Sequence, residues 1–562
     1  MTCLRGLPVL LLDAQATAAD PARGALVEMG WARGSAAEGP ELTAADVTAH
    51  VVAPPPGAVM PPAVARITGL SSADWARGTE PAFVWRRLRL AASEAAPPPV
   101  PAVIHFARFE EPYLRALHAR HDAGPFPLEL VCTHAIACRV LPELPRRTLR
   151  ALAGYFGAAV PPLRRSADHV VATAFVWRHL VALLAEREGI VGLEELRAWL
   201  ARPAPRAPRR FPLPRERRLA LPDRPGVYRL LREGGAVLYV GKAGSLRHRV
   251  SGHFHARAGE RALDMLTQAR DVACTETATA LEAALLEADE IKRLSPPFNV
   301  ALSANGRSIW FASTDLRRLQ DRPDAGHTVG PLFSPVPGEG FSALRAALAP
   351  GGPSSLAVHA RALGVEPAYA PGPICFAAGL ALFVDQHGPA CSTRDLLRLG
   401  GKLWALRRAA TASTPEADEL VLEEPERRRP AWNPERVREA LEETALRAAH
   451  AVRRGRWLLR LSECSLAWAE AADERRRLLV FGAGTVVARA DLDPDAPVPV
   501  PPGHARTPAE RRRVFDVATF DRLRVLTTEL RAVAAQAASV ELRLGPHVRL
   551  ARGRLQAVLR WV

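Results

Sequence analysis

The sequence predicts an α/β protein built from several domains. Three observations support this prediction: the length of the chain, the alternation of short apolar runs with helical periodicity, and one proline- and arginine-rich segment. At 562 residues, the chain is long enough for about three domains of roughly 100–200 residues each. Its 48% hydrophobic and 24% charged residues are ordinary for a folded protein, and they exclude wholesale disorder and a small disulfide-stabilised scaffold.

The chain is strongly basic. It carries 75 Lys and Arg residues against 59 Asp and Glu, a net charge of +16 and an isoelectric point near 10.5. This sign of charge is expected for a protein that meets polyphosphate. The charge alone does not identify a partner, because an overall bias toward arginine produces the same sign. Lysine is restricted to Lys242, Lys292 and Lys402.

Neither an export signal nor a membrane segment is predicted. The apolar stretch at residues 7–12 ends at Asp13 before a secretory signal could form, and no apolar run reaches the 18 or so residues of a spanning helix. The seven cysteines are scattered and contain no CxxC pair, which favours a reducing compartment and argues against a cysteine-built metal site. We therefore expect a soluble, cytoplasmic protein that associates with the nucleoid and not with a membrane.

Composition divides the chain into four parts. Residues 1–200 alternate apolar runs and helical periodicity, which is typical of an α/β domain. Residues 201–218 repeat proline and arginine, and predict an extended basic linker. Residues 219–303 form a compact unit that opens with a hairpin. Residues 304–562 predict a mixed α+β region, with DNA binding and partner binding as alternative roles. Within it, residues 434–453 predict a helix, and residues 457–469 and 478–487 predict paired strands around a charged turn.

Two tyrosines lie on the predicted hairpin. The strands Gly226–Leu231 and Ala236–Val240 flank a turn that contains two glycines. Antiparallel pairing of these strands brings the hydroxyls of Tyr228 and Tyr239 to one surface. Lys242 follows directly, so the sequence predicts two phenols and an ammonium group in close proximity.

A short helix is predicted after the hairpin. Ser245 is a suitable N-cap residue. Leu246, Arg249, Val250 and His253 then share one helix face by their i, i+3, i+4 and i+7 spacing. This spacing places a guanidinium and an imidazole one turn apart.

A second helix places a carboxylate among apolar residues. Glu287 lies at i−4 from Ile291 and at i+3 from Ala284, both in the apolar stripe, and an unpaired charge there costs several kcal/mol. A metal ion, Arg249 or Lys242 could neutralise it; alternatively, the helix is rotated by one residue and Glu287 lies at its polar edge. The opposite face is predicted to carry Glu282, Asp289, Glu290 and Arg293.

The ordered set of motifs in residues 226–299 resembles a GIY-YIG nuclease of the excinuclease C and Cho type. The set comprises GVY, YVG followed by lysine, the arginine helix, the helix glutamate and a final asparagine after a proline. The resemblance covers about 80 residues. The chain departs from it at His253, where the excinuclease usually has tyrosine; a histidine can still donate or accept a proton there.

This resemblance implies a metal-dependent DNA endonuclease. Glu287 would hold one Mg²⁺ or Mn²⁺, and Tyr239 or Tyr228 would orient or deprotonate the attacking water. Lys242 would depress the pKa of the phenol and Arg249 would brace the scissile phosphate. Asn299 would fix the end of the site.

The first third of the chain resembles the DEDD exonucleases, the family of the DNA polymerase III epsilon subunit, which implies an RNase H-like sheet. The resemblance rests on the three stretches LPVLLLDAQA, IHFARFEEPYL and RRSADHVVATAFVWRHL. Four carboxylates are needed in that family because two Mg²⁺ ions about 4 Å apart must be held.

The carboxylate set of this second site is incomplete. Two of its acids are retained, one as the longer glutamate, while amide, guanidinium and imidazole groups replace the others. An arginine cannot replace the histidine base because it does not deprotonate in proteins. We predict a degenerate exonuclease fold that serves in DNA binding or docking. The positions are Asp13, Gln15 (for glutamate), Glu110 (for aspartate), Arg164 (for histidine) and His169 (for aspartate), with Asp168 adjacent.

The leading hypothesis is therefore a DNA repair endonuclease that makes nucleotide-excision-type incisions. DNA is the expected partner, with a damage-recognition helicase or other repair proteins as further candidates. Two alternatives remain open: a non-catalytic DNA-binding scaffold, and a 3′–5′ exonuclease of the polymerase III epsilon type. The sequence does not state the lesion, the strand that is cut or the oligomeric state.

Overall fold

The structure is a computed structural model that divides the chain into two compact units. One unit comprises Met1–Ala283 with Leu294–Ala301, and the other comprises Ala284–Arg293 with Leu302–Val562. Residues 300–303, at the end of the predicted nuclease domain, lie outside the described residues. The structure describes residues 3–158, 163–254, 259–299, 308–349, 351, 355–388, 392–411, 432–470 and 474–559.

The first unit begins with a five-stranded mixed sheet. Its order is β3-β2-β1-β4-β5; β1, β2 and β3 pair antiparallel, and β4 and β5 continue parallel to β1. This is the RNase H-like arrangement that the sequence motifs imply. The strands are β1 (Val9–Ala16), β2 (Leu26–Gly34), β3 (Thr48–Val51), β4 (Val100–Ile104) and β5 (Leu128–Cys132).

The central strand β1 is buried on both faces. Val9 and Leu11 join the core on one side of the sheet, while Leu10 and Leu12 join the core on the other. This follows from the alternation of side chains along a strand. Helices cover both faces, namely α1 (Pro62–Thr68), α2 (Ser72–Ala76), α3 (Pro81–Ala95), α4 (Ala107–His121), α5 (Thr133–Val140), α6 (Leu149–Tyr155), α7 (Ser166–Leu183) and α8 (Leu193–Leu200).

Among the described residues, one helical segment is long and apolar enough to cross a membrane by length and composition alone. It is Ser166–Glu188, which is α7 with its last turn. The expectation that no segment would reach this length is therefore corrected. Val170, Val176, Trp177 and Leu180 of this helix are fully buried in the sheet core, and core helices of globular domains pass the same test.

The proline-rich linker is shorter than predicted. Residues 203–210 form no regular element and are exposed, as expected for an extended segment. Leu213, however, is fully buried in the core of the next domain, and Arg215–Leu219 forms helix α9. The expectation of an extended chain through residue 218 is corrected, because the two leucines Leu213 and Leu221 bury apolar surface there.

A small antiparallel sheet follows. Its order is β7-β6-β8, and β6 pairs with both neighbours. The predicted hairpin is confirmed: Gly234 and Gly235 form its turn with φ of 80° and 82°, which glycine adopts without steric cost. The elements are β6 (Gly226–Leu231), β7 (Val237–Ala243), α10 (Leu246–Gly252), α11 (Glu260–Gln268), β8 (Asp271–Glu276) and α12 (Ala280–Leu294).

The RNase H-like domain contacts this small domain directly. Helix α6 packs on helix α11, and Thr148 donates a 2.8 Å hydrogen bond to Asp264. Arg146 lies 3.4 Å from the same carboxylate. The Arg270 guanidinium stacks 4.0 Å from the centre of the Tyr155 ring. Polar and aromatic contacts between the domain before the linker and the domain after it therefore hold the two together.

The second unit contains a helical cluster and two sheets, which confirms the mixed α+β prediction. Its three-stranded sheet has the order β10-β9-β11, and its five-stranded antiparallel sheet has the order β14-β13-β12-β15-β16. The strands are β9 (Trp310–Ala312), β10 (Leu319–Gln320), β11 (Val329–Leu332), β12 (Cys464–Ala469), β13 (Arg476–Gly482), β14 (Thr485–Leu492), β15 (Ser539–Arg543) and β16 (Arg549–Ala551). The helices are α13 (Val336–Ala347), α14 (Leu356–Leu363), α15 (Pro373–His387), α16 (Thr393–Thr411), α17 (Pro434–Leu461), α18 (Pro508–Arg513), α19 (Val517–Gln536) and α20 (Arg552–Leu559).

Helix α17 extends further than the helix predicted from the sequence, which ends at residue 453. The apolar run that starts at Trp457 suggests a strand, but the helix continues to Leu461 and the strand begins only at Cys464. The correction has a simple cause, because Leu458 and Leu461 lie on the buried face that the preceding turns already define. The hairpin of β12 with β13 is present as predicted.

Two neighbouring glycines of α16 test the packing of α16 on α17. A Cβ at Gly400 would lie 2.1 Å from the carbonyl oxygen of Ala445, whereas a Cβ at Gly401 would meet nothing within 4 Å. We expect Gly400→Ala to destabilise the second unit by about 1–3 kcal/mol through overpacking. Gly401→Ala should stabilise it by up to about 1 kcal/mol through helix propensity. Differential scanning calorimetry of both variants measures this, and an equal shift in the two would contradict the described packing.

Candidate active site

Three rings meet on one side of the small sheet. Tyr228 on β6 and Tyr239 on β7 have ring centres 6.0 Å apart, and the His253 ring lies 5.7 Å from the first and 6.0 Å from the second. The Tyr228 hydroxyl lies 2.5 Å from Nε2 of His253. Tyr228 is fully buried, while Tyr239 is partly exposed. The hairpin thus brings together both predicted tyrosines and the predicted histidine.

Two glycines make this close packing possible. Gly241 lies opposite Tyr228 in the strand pairing, and a Cβ there would lie 2.5 Å from the Tyr228 hydroxyl oxygen. At Gly226, a Cβ would lie 2.4 Å from the carbonyl oxygen of Thr275 on β8. Distances below 3.0 Å require the surroundings to shift. The glycines of the GVY and YVG motifs therefore define the shape of the site.

The predicted N-cap and helix are confirmed, and they position Arg249 and His253. The Ser245 hydroxyl accepts a hydrogen bond from the backbone N–H of His248 and begins α10. Burial, followed by the nearby charge of Arg249, lowers the pKa of His253. The imidazole is therefore neutral at pH 7, and Nε2 can accept the proton of the Tyr228 hydroxyl. Arg249 itself is exposed.

Asn299 joins the end of the domain to the tyrosine strand. Its Oδ1 accepts a 2.9 Å hydrogen bond from the backbone N–H of Val240, and its Nδ2 donates a 2.8 Å bond to the carbonyl of the same residue. The backbone N–H of Phe298 also donates to the carbonyl of Leu238. These bonds act as one further strand pairing beside Tyr239. Lys242 is half-buried on the same strand, opposite Val227.

Glu287 lies on α12 with a half-buried side chain. The buried stripe predicted for this helix is confirmed at Leu281, Ala284 and Ile291. Glu282 and Glu290, which the periodicity predicts for the opposite face, are buried as well, at 7% and 5% exposure.

Several side chains on this face of α12 have polar partners. The Thr279 hydroxyl donates to Glu282. Further along, Lys292 lies 2.8 Å from the buried carboxylate of Asp521, and Arg522 lies 2.7 Å from Asp289. These two ion pairs fix the helix that carries Glu287 to α19 of the same compact unit. Periodicity along a single helix contains no information about such distant partners.

A single divalent cation fits this donor set. Among the described residues, no group of three or more His, Cys, Asp or Glu side chains is arranged to hold a metal. Mg²⁺ does not require such a group, because it keeps several water ligands and is often bound through one carboxylate. Glu287 is the residue that would provide that carboxylate.

The second candidate site has a different arrangement. Asp13 on β1 is buried, and its Oδ1 lies 2.9 Å from Nδ1 of His169 on α7. Burial opposes the charged imidazole, but the Asp13 carboxylate, a hydrogen bond with the backbone of Leu163 and the Asp168 charge together outweigh it, and the pKa of His169 is raised. When it is protonated, His169 neutralises the Asp13 carboxylate, which the predicted exonuclease site would use to hold a metal ion. The two residues that the sequence singled out are in direct contact.

The remaining predicted residues of this site form hydrogen bonds within the domain. Gln15 donates to the carbonyl of Arg164, and Asp168 caps α7 by accepting the N–H groups of residues 164 and 165. Glu110 is buried and accepts a 2.9 Å hydrogen bond from the N–H of Ala14. Burial, with the nearby Asp13 charge, raises the pKa of Glu110 well above its usual value. This donor set does not fit two Mg²⁺ ions.

One buried ion pair near this site was missed. Glu28 on β2 is 1% exposed, accepts the N–H of Ser166 and lies 3.0 Å from Nε of Arg165. The sequence contains the signal, since Glu28 interrupts the apolar strand LVEMGW. A charge in a buried strand requires a partner.

The small domain, with its paired tyrosines and tight glycines, is of the GIY-YIG nuclease class. A sequence profile of that class confirms this: residues 224–300 match the family described as the UvrC-like GIY-YIG domain. This segment of the chain is a UvrC-like GIY-YIG domain, preceded by an exonuclease-like region.

Several known proteins are similar to parts of the chain. A Mycobacterium tuberculosis protein named as a bifunctional exonuclease/endonuclease is 35% identical over 217 residues, which is 38% of this chain and 33% of that protein. The UvrABC system protein C of Sphingopyxis alaskensis is 41% identical over 125 residues, or 21% and 19% of the two chains. The chain thus spans a third or less of the length of these relatives.

One similar structure has been solved with a metal. It is the GIY-YIG N-terminal endonuclease domain of UvrC from Thermotoga maritima bound to its catalytic divalent cation, magnesium. It is 30% identical, covers 15% of this chain and 94% of its own, and has a TM-score of 0.15.

The pair of Asp13 and His169 predicts a pH-dependent stability. Because the pKa of His169 is raised above its ordinary value of 6.5 in the folded state, its contribution is complete below about pH 6.5 and is lost as the pH rises through the folded pKa. The loss of unfolding free energy in His169→Gln should therefore be larger at about pH 6 than at about pH 9. Chemical denaturation at both values measures this. In an Asp13→Asn background, the pH dependence should disappear; its persistence would exclude the pair as the cause.

Proposed function

We propose that the protein is a DNA repair endonuclease that hydrolyses phosphodiester bonds with its GIY-YIG domain. The observation that carries the proposal is the cluster of Tyr228, Tyr239 and His253 beside an exposed arginine. Within one hairpin and one turn of helix, it combines a proton acceptor (His253), a partly exposed phenol (Tyr239) and a guanidinium (Arg249). Phosphodiester hydrolysis needs these groups for water activation and charge stabilisation.

The two tyrosines have different roles in this proposal. Tyr228 is fully buried and does not contact the attacking water directly. Its hydroxyl orients and polarises the His253 imidazole through their hydrogen bond. Tyr239 is partly exposed, so it is the phenol that orients or deprotonates the water. Lys242 on the same strand favours the phenolate by its positive charge.

The other predicted residues bind and position. Arg249 contacts the non-bridging oxygens of the scissile phosphate, because a guanidinium matches their geometry. Asn299 holds β7 in place through Val240. A divalent cation, Mg²⁺ or Mn²⁺, bound at Glu287 would supply neutralisation of the phosphoryl charge.

The exonuclease-like domain serves in docking and DNA binding in this proposal. The contact of Thr148 and Arg146 with Asp264 ties it to the nuclease domain. The pairing of His169 with Asp13 leaves it without a donor set for metal-dependent degradation. A purely non-catalytic scaffold is less favoured, because six separated polar positions of the GIY-YIG site are retained. We place the protein in the cytoplasm, on DNA, alongside a helicase or other repair proteins.

Glu287→Gln tests the nuclease assignment. The substitution removes the carboxylate and preserves the shape of the side chain, so incision should fall by two or more orders of magnitude while the DNA dissociation constant stays unchanged. A nicking assay on damaged and undamaged supercoiled plasmid with Mg²⁺ measures the rate.

Glu276→Gln is the matched control for this experiment. It makes the same substitution on β8, where the carboxylate is exposed and lies 3.6 Å from an exposed Arg224. Loss of such a surface pair costs little, so the control should cleave at the wild-type rate. Wild-type cleavage by Glu287→Gln would exclude the assignment.

The exonuclease site yields a second test. In the Glu287→Gln chain, we expect no Mg²⁺-dependent degradation of single strands, because the remaining acids do not hold two metals. Combined Gln15→Glu, Arg164→His and His169→Asp substitutions should restore degradation on the intact scaffold. Release of labelled nucleotides measures both. Degradation without the restoring substitutions, abolished by Asp13→Ala, would show instead that the chain carries two working nucleases.

A further inference from the structure

Three arginines of the second unit, on α17 and α19, interact through their charges. Arg454 of α17 is partly buried, and the positive charges of Arg524 and Arg531 on α19 act on it. Burial first, then the repulsion of these two guanidinium groups, lowers the pKa of Arg454 to about 10. Nε of Arg454 has no hydrogen-bond partner among the described residues. A buried cation without a counter-charge is costly, so this position favours an anion.

An exposed aromatic surface adjoins these arginines. Phe333, just after β11, is 46% exposed, and its ring stacks on Phe520 of α19 with centres 5.8 Å apart at 15°. The Arg524 guanidinium lies 5.1 Å from the centre of the Phe333 ring. Close packing brings these elements together, since a Cβ at Gly455 would lie 2.4 Å from the carbonyl oxygen of Pro331.

We propose that Arg454, Arg524, Arg531, Phe333 and Phe520 form a binding site for single-stranded nucleic acid. The arginines hold the phosphodiester backbone, and a base stacks on the exposed part of Phe333. This pairing of guanidinium groups with an exposed aromatic ring is the arrangement with which proteins bind single strands without sequence preference. A duplex does not offer an unstacked base, so it binds here through phosphate contacts alone.

A binding site for single strands is compatible with an enzyme that incises DNA, but this inference does not depend on the proposed nuclease activity. Binding is measured without a metal, and therefore without cleavage. The ion pairs of Asp521 also connect this surface to α12, because the same carboxylate lies 4.0 Å from Arg524 and 2.8 Å from Lys292.

Fluorescence anisotropy on the full-length protein tests the site. The probe is a labelled oligothymidylate of about 20 nucleotides in EDTA, with a duplex of the same length for comparison. Phe333→Ala should weaken single-strand binding by about 5-fold or more, and duplex binding by much less, because only the single strand loses base stacking. Phe333→Tyr should bind as the wild type does.

Charge removal gives an independent readout. Arg454→Met should weaken binding and reduce the slope of log Kd against log salt by about 0.7, the value for one phosphate contact with a single strand. Its melting temperature should be unchanged or higher, because a costly buried cation is replaced by an apolar chain of similar length. Arg531→Ala should weaken binding in the same way if Arg454→Met does not fold.

Arg456→Ala is the matched control. It removes the same charge from an exposed position of the same helix, about 200° around the axis, and should leave affinity unchanged. Photo-crosslinking of an iodouracil-substituted strand should label the peptide that contains Phe333. Equal affinities for wild type, Phe333→Ala and both arginine variants would overturn the proposal, as would crosslinks confined to other peptides. Weakening by Arg454→Met with none by Phe333→Ala would reduce the site to an anion site and overturn the single-strand assignment.

Discussion

The contact between the Tyr228 hydroxyl and Nε2 of His253 is the interaction on which the GIY-YIG site depends. At 2.5 Å it joins the first strand of the hairpin to the end of α10, and it exists only because Gly241 leaves room for the ring. Burial keeps the imidazole neutral and able to accept this hydrogen bond. The histidine that departs from the family pattern thus joins β6 to α10 through Tyr228.

The exonuclease-like domain combines a complete fold with an incomplete set of the predicted metal ligands. The sheet order and both cores are complete, while the imidazole of His169 takes the place of a cation beside Asp13. Glu110 has a raised pKa, and Asp168 is engaged at the helix N-terminus. The domain contacts the nuclease domain through α6 and α11. These features are the basis of the proposed docking role.

The sequence predicted the local features of the fold well and the distant ones poorly. The hairpin, the Ser245 cap and the tyrosine pair follow from turn residues and strand alternation, which act over a few positions. The ion pairs that join α12 to α19 depend on partners far along the chain. Lys292 pairs with Asp521 across more than 200 residues, and no periodicity signals such a contact. The arginine surface at Arg454 was missed for the same reason, because its members come from three separate elements.

The most direct test of the central claim is the single-turnover incision rate of Tyr239→Phe with Mg²⁺ at saturating protein. The substitution deletes one hydroxyl from the partly exposed phenol and leaves the ring contacts with Tyr228 and His253 intact. The account predicts a fall in rate of about 100-fold or more, with the DNA dissociation constant within about twofold of the wild type. Incision at the wild-type rate, or a change confined to the dissociation constant, would contradict the assignment of Tyr239 as the phenol that acts on water.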